Sequence, residues 1–339
     1  MYKPAGVDED LTEVKKPWDE GLLSQMGEHL GAARMCDSVE NWTNEEFLME
    51  VRDGIAYCTM NRPTANNAMN DGIGAGLHDS ARILRNRPDI RIAVLTGNGR
   101  MFCAGGDPKS FQAAQASVGL GALADGQGGQ PENPDGNMIV GAAGYMGGEA
   151  NKQGGNVAAY DFYSWASLPQ FTICCMNGSA MGGGVGVISN CDMVVAVRTA
   201  HVTLSEVKLG VIPATISPHV IRTMGASNAK RLFVTAENCN MALAKECGLV
   251  QRVVDSVADF PAVVKEIAQK VQGLAPGAVA ATKACILNTL NQPISNQLHN
   301  YVCMEYARTR KGKECEEAME ALKSKSKPKW VESAIAVKE

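Results

Sequence analysis

Three short runs dominate the middle of the chain: RIAVLTG at 91–97, FTICCMNG at 171–178 and DMVVAV at 192–197. Each is apolar almost without interruption, whereas a strand with one wet face alternates apolar and polar residues. Runs of this kind suit strands covered on both faces, as in a parallel sheet. Apolar residues recur at helical spacing from 71 to 84, and a second helix is expected to start near 180–183. Strand, helix and strand therefore alternate, and the expected fold class is α/β.

Upstream, MEVRDGIAYCTMNRP at 49–63 predicts two strands hinged at Asp53-Gly54, because an aspartate–glycine pair readily supplies the two left-handed residues of a tight hairpin. Downstream, the segments around VVKEIAQKVQGLA, AVAATKACILNTL and HNYVCMEYARTRKGKECEEAMEALKSK predict helices. The expected organisation is an acidic N-terminal extension over 1–46 with a helix around 22–35, a core over 47–258 and a C-terminal helical region over 259–339. Between the two strand units, residues 113–156 are crowded with Gly, Ala, Gln and Asn and show little periodicity. A stretch that long predicts an insertion beside an active site.

Composition excludes several functions. The net charge is −4 and 20% of the 339 residues are charged, so there is no broad basic surface for phosphate backbones or anionic lipid. Neither nucleic acid nor a membrane is an expected partner. The longest apolar runs fall far short of the roughly 20 residues of a spanning helix, which predicts a soluble protein. Eleven cysteines are scattered without CxxC or Cys/His spacing. They read as reduced, buried thiols, and no metal site is expected. The start, MYKPAGVDEDLTEVKKPWDE, has neither the layout of a secretory signal nor the Arg-rich, acid-poor character of a transit peptide. The expected location is the cytoplasm or an organelle matrix.

Two glycine-rich turns sit in comparable places after apolar runs: FCAGGD at 102–107 and NGSAMGGGVG at 177–186. Either alone reads equally well as a tight strand-to-helix connection. Together they could aim backbone amides at one negative oxygen, since glycine lets the backbone approach a ligand closely. A dinucleotide site is disfavoured because GxGxxG is not satisfied, and a serine-hydrolase elbow because Ser179 lies in GSAMG rather than GxSxG.

A third element, AHVTLSEVKLGVIPATISPHVIRTMG at 200–225, follows the second turn. With NRPTANNAMN at 61–70 and KECGLVQRVVD at 245–255, the set resembles the crotonase superfamily, whose type member is enoyl-CoA hydratase. The resemblance spans about 47–330. It implies a crotonase-type spiral of ββα units with a C-terminal helical layer, and an enzyme that stabilises the enolate of an acyl thioester. It places the oxyanion-hole amides at Gly106 and Gly183 and a catalytic glutamate at Glu206. The second glutamate of the hydratases would fall at Gly186, which has no side chain.

Enoyl-CoA isomerases, methylglutaconyl-CoA hydratases and the dehydratases of polyketide β-branching are similar in this departure, and SEVKLGVIPATISP is especially similar to the methylglutaconyl group. A carboxylate at 186 would repel an acyl chain ending in its own carboxylate, and glycine removes both charge and bulk. The resemblance with this argument predicts water addition or elimination on a branched, carboxylated thioester such as 3-methylglutaconyl or 3-hydroxy-3-methylglutaryl. The alternatives are a 3,2-trans-enoyl-CoA isomerase working with Glu206 alone, and a non-catalytic CoA- or RNA-binding relative.

Other candidates for the pocket are Asp107, as a helix cap or a water-positioning group, His219 after the PATISP turn, and Cys103, as a nucleophile or a packing thiol. The resemblance puts the adenine of coenzyme A near Asn67, Ala68 and Met69. It gives the phosphates to Lys109 and to Lys327, the latter serving a neighbouring subunit. Coenzyme A or the phosphopantetheine of an acyl carrier protein would carry the substrate, with no further cofactor. A homotrimer or hexamer is the implied assembly.

Overall fold

The computed structural model describes residues 41–109 and 162–332. The expected helix at 22–35 and the insertion at 113–156 lie outside the described residues. The chain divides into two units between Val39 and Glu40, and everything described belongs to the second.

The sheet opens with three antiparallel strands, β1 (Asn41–Asn44), β2 (Phe47–Arg52) and β3 (Ile55–Met60). Asp53 and Gly54 make the hairpin between β2 and β3 with φ of 53° and 69°, the left-handed pair that matches the twist of the flanking strands. β1 corrects the sequence reading, which left 41–44 in the extension. NWTN is a polar stretch pairing on one side only, so it carries no apolar alternation to read.

From β3 the large sheet turns parallel. It continues through β4 (Ile92–Gly97), β6 (Phe171–Met176), β8 (Met193–Val197) and β11 (Arg252–Val254), after β5 (Met101–Cys103), β7 (Ser179–Met181), β9 (His201–Thr203) and β10 (Cys239–Asn240) are set aside in a second sheet. β4, β6 and β8 are buried nearly throughout, as unbroken apolar runs require. Helix α1 (Asp71–Arg85) starts at Asn70, whose side chain accepts the Ile73 N–H at 3.1 Å. Its buried stripe of Ile73, Leu77, Ala81 and Leu84 joins the core. Gly76 lets α1 meet β2 closely, since a Cβ there would stand 2.3 Å from Phe47 Cβ.

The second sheet has the order β10-β9-β7-β5, with β5, β7 and β9 parallel. After three of the large-sheet strands the chain steps into it: β4 to β5, β6 to β7, β8 to β9. Helix α2 (Gly183–Ile188) follows β7 and α3 (Ser217–Thr235) follows β9. This repeated step from sheet to sheet to helix is the ββα spiral. β7 occupies part of the stretch where the sequence placed a helix start; the helix begins only after Gly182, whose φ of 46° and ψ of −119° turn the chain. A three-residue strand is too short to show a period.

The remaining helices are α4 (Met241–Glu246), α5 (Phe260–Gln272), α6 (Pro276–Thr289), α7 (Asn296–Arg310), α8 (Lys313–Ser324) and α9 (Lys329–Glu332). α5 packs on β4 and β6. α6 and α7 bury no side chain fully. Lys283 of α6 reaches the Asp192 carboxylate and the Gln170 carbonyl at the start of β6 and so ties this layer to the core. Among the described residues no helix is long and apolar enough to cross a membrane.

Candidate active site

Three neighbouring parallel strands of the small sheet deliver the residues singled out from the sequence. β5 leads to Gly106, β7 to Gly183 and β9 to Glu206, each two or three residues past the strand's C-terminal end. Crevices at the carboxyl ends of parallel strands are where α/β folds bind ligands.

The two glycine turns touch. Gly105, at φ 91°, packs so closely on the second turn that a Cβ would stand 3.0 Å from the Met181 carbonyl oxygen. A Cβ at Gly183 would lie 4.0 Å from Gly106 N, so both amides border the same space. Among the described residues neither the Gly106 nor the Gly183 N–H meets a backbone acceptor. Met69 closes one side, with its sulfur 3.0 Å from the Cβ position at Gly183. Its backbone braces the first turn: Met69 N–H donates to Gly105 O at 2.7 Å, and Asp107 N–H donates to Met69 O at 2.9 Å.

Glu206 is the first residue of a 3-10 turn, Glu206–Leu209. Its carboxylate lies against Gly182, and Oε2 is buried with no hydrogen-bond partner among the described residues. Burial raises its pKa above the ordinary carboxylate value, and a hydrogen bond with its own backbone offsets part of the effect. Two open amides and a carboxyl group with one unpaired oxygen and a raised pKa can together receive a developing oxyanion and move a proton.

Asp107 has a structural role. Oδ1 accepts the Lys109 N–H at 3.0 Å, which matches the expected cap, and Oδ2 takes Arg62 Nη2 at 3.0 Å. The Lys109 N–H first, and Arg62 next, hold its carboxyl below the usual range, so it remains an anion.

Several expectations are corrected. Gly186 opens no pocket: it is buried, and a Cβ there would stand 2.3 Å from Ile216 Cγ2 and 3.2 Å from Phe162 Cζ. Apolar side chains have taken the room a second glutamate would use. Of the two readings of Cys103, the structure favours the packing thiol, since it is wholly buried against Gly184 and burial pushes it up to about 12. His219 is half-buried with its ring edge-on to Phe162, 6.1 Å between centroids; burial and the Arg222 charge hold it at about 4, so it is neutral at physiological pH.

The residues that the resemblance places near the adenine have mostly structural partners. Asn67 is fully buried, its amide spent on the Asn98 and Met101 carbonyls and its oxygen on the Arg62 N–H. Ala68 is buried, with its carbonyl on Arg62. Met69 alone of the three is half-exposed. Lys109 and Lys327 are exposed, Lys109 beside the Gly106 turn and Lys327 between α8 and α9.

Sequence reasoning missed Arg62. Its guanidinium joins Glu46, Ala68 and Asp107. The NRP triplet displayed it, but its partners are scattered along the chain and no local spacing announces such a contact.

The family model described as enoyl-CoA hydratase/isomerase matches residues 50–125 and 143–333. The chain belongs to the enoyl-CoA hydratase/isomerase family. It is therefore an enzyme of the crotonase superfamily, in both fold and class. Among curated relatives, an enoyl-CoA hydratase of Alternaria alternata, ACTT6, is 28% identical over 262 residues, covering 77% of this chain and 76% of its own. The (E)-benzylidenesuccinyl-CoA hydratase of Thauera aromatica is 29% identical over 252 residues, covering 73% of this chain and 84% of its own. Among solved structures, Pseudomonas aeruginosa AtuE is 28% identical with a TM-score of 0.70, covering 85% of this chain and all of its own.

Proposed function

We propose that the protein adds water to, or removes it from, a 2-enoyl thioester through an enolate held by the Gly106 and Gly183 amides, with Glu206 carrying the proton. One observation carries this reading. Two backbone N–H groups and one carboxyl oxygen, all without hydrogen-bond partners among the described residues, meet at the ends of three adjacent parallel strands. In elimination Glu206 takes the C2 proton, and the electron pair passes to the thioester oxygen at the two amides. The C3 hydroxyl then departs as water with the proton Glu206 returns; hydration is the reverse.

For the acyl group we infer a branched chain ending in a carboxylate, of the 3-methylglutaconyl or 3-hydroxy-3-methylglutaryl kind, on coenzyme A or a carrier protein. Support comes from the missing negative charge at Gly186 and from Arg222. Arg222 is exposed on α3 beside His219 and forms no ion pair among the described residues. The Thauera relative bears the name of a hydratase whose acyl group, a substituted succinyl, has a free carboxylate. The absent bulk at 186 frees no space for the acyl chain, because Ile216 and Phe162 fill that room.

The same filling favours a second reading. With apolar side chains where a second acid would stand, Glu206 alone could move a proton between C2 and C4, as a 3,2-enoyl isomerase does. A mass-spectrometric assay decides. Wild type and Glu206→Gln are given 3-hydroxy-3-methylglutaryl and 3-methylglutaconyl groups on both carriers, and 3-hexenoyl-CoA. Loss or gain of water on the carboxylated groups, abolished in the variant, supports the first reading. Turnover of 3-hexenoyl-CoA alone establishes the second.

We infer a homotrimer or hexamer, because the C-terminal layer leaves Ile294 84%, Leu322 71% and Ile286 57% exposed. Sedimentation equilibrium giving a monomer would remove this inference.

A further inference from the structure

We propose that Arg62 is a positioning residue for the Gly106 amide, acting through Asp107. The proposal rests on the reading that Gly106 receives the thioester oxygen.

Gly106 is exposed and has no side chain, so its amide direction depends on its neighbours. On one side Gly105 is pinned by the Met69 N–H. On the other, Asp107 is held twice, through its N–H to Met69 O and through its carboxylate to Arg62 Nη2 at 3.0 Å. The side chains of Arg62 and Asp107 are 17% and 11% exposed, so salt screens the pair weakly.

The rest of the guanidinium is equally engaged. Nη1 donates to Ala68 O at 2.5 Å and Nε pairs with Glu46 Oε1 at 2.9 Å. Glu46 is itself fixed: Oε2 accepts Asn70 Nδ2 at 2.8 Å, and Asn70 caps α1. One planar fork thus references the Gly106 turn to the start of α1 and to the edge of β2. Sites held by rigid elements keep the geometry that an oxyanion contact requires. A lysine has one nitrogen and cannot meet three acceptors arranged around a plane.

The test uses Arg62→Gln, Asp107→Asn and the double variant in the full chain. Its readouts are kcat and KM on a 2-enoyl-CoA that wild type turns over, coenzyme A affinity, and the near-ultraviolet enolate absorbance of bound acetoacetyl-CoA. Each single variant is expected to lose about 100-fold in kcat, the cost of a misplacement near 1 Å. KM and coenzyme A affinity should move less than about threefold, since the lost interaction belongs to the transition state. The enolate band should weaken in step with kcat, and the double variant should be no worse than the poorer single variant, because both cut one contact.

A folded variant with kcat and enolate band within about twofold of wild type overturns the proposal. So does a loss of coenzyme A affinity that matches the loss in kcat. Should Arg62→Gln not fold, Asp107→Asn carries the same outcomes, since the asparagine oxygen still accepts the Lys109 N–H. A wild-type protein that forms no enolate band removes the Gly106 reading and this proposal with it, and that failure is distinct because it precedes any substitution.

Discussion

The carboxylate of Glu206 rests against the Cα of Gly182: a Cβ built at 182 would stand 3.0 Å from Oε1 and 3.4 Å from the carboxyl carbon. Gly182 is also the residue whose φ of 46° and ψ of −119° end β7 and start α2. One glycine therefore sets both the place of the Glu206 carboxylate and the turn that presents the Gly183 amide. Gly182→Ala should cost about 1–3 kcal/mol of stability from backbone strain, and should lower kcat as the carboxylate is displaced. Thermal unfolding and steady-state kinetics read both; an alanine variant with wild-type kcat would separate Glu206 from this contact.

Burial raises the Glu206 pKa in the fold. Its contribution to stability is thus fully present below the ordinary carboxylate pKa and is lost as pH climbs through the raised value. Glu206→Gln stays neutral throughout, so it should melt above wild type at neutral pH, with the difference vanishing in acid. Its kcat should fall about 100- to 10,000-fold, the usual worth of a proton-transfer group. A melting difference that is flat with pH would mean the carboxyl is not desolvated.

Placing a side chain at position 186 requires moving Ile216. Gly186→Glu alone should destabilise by about 1–3 kcal/mol through overpacking against Ile216 and Phe162. Combined with Ile216→Ala it should recover part of that loss, so urea denaturation of the four-membered cycle should show coupling. Strict additivity would show that the two positions are not in contact.

Native alkylation should pass Cys103 by. Its thiol is buried and pushed up to about 12, whereas Cys303 is exposed. Peptide mapping after a brief iodoacetamide pulse should find label at Cys303 and none at Cys103; early label at Cys103 would restore it as a reactive group.

What could be read in advance follows from how local each signal is. The Asp53-Gly54 hairpin, α1 and the buried strands β4, β6 and β8 were legible because turn chemistry and apolar periodicity act over a few residues. β1, β5, β7 and β9 were not, being polar or only three or four residues long. In the site, the adjacency of the Gly106 and Gly183 turns to Glu206 was implied by the resemblance to the crotonase superfamily. The use of Arg62 and the filling of Gly186 by Ile216 did not, since both depend on contacts between distant parts of the chain.

Because Gly106, Gly183 and Glu206 ride on three paired strands, their spacing comes from the pairing distance itself, about 4.8 Å from one strand to the next. The site is a gauge whose short turns are mounted on the sheet. The connection from Lys109 to Phe162 leaves β5 after the gauge is set and returns before β6. A lineage could therefore lengthen or rewrite that connection without moving the strands that carry Gly106, Gly183 and Glu206.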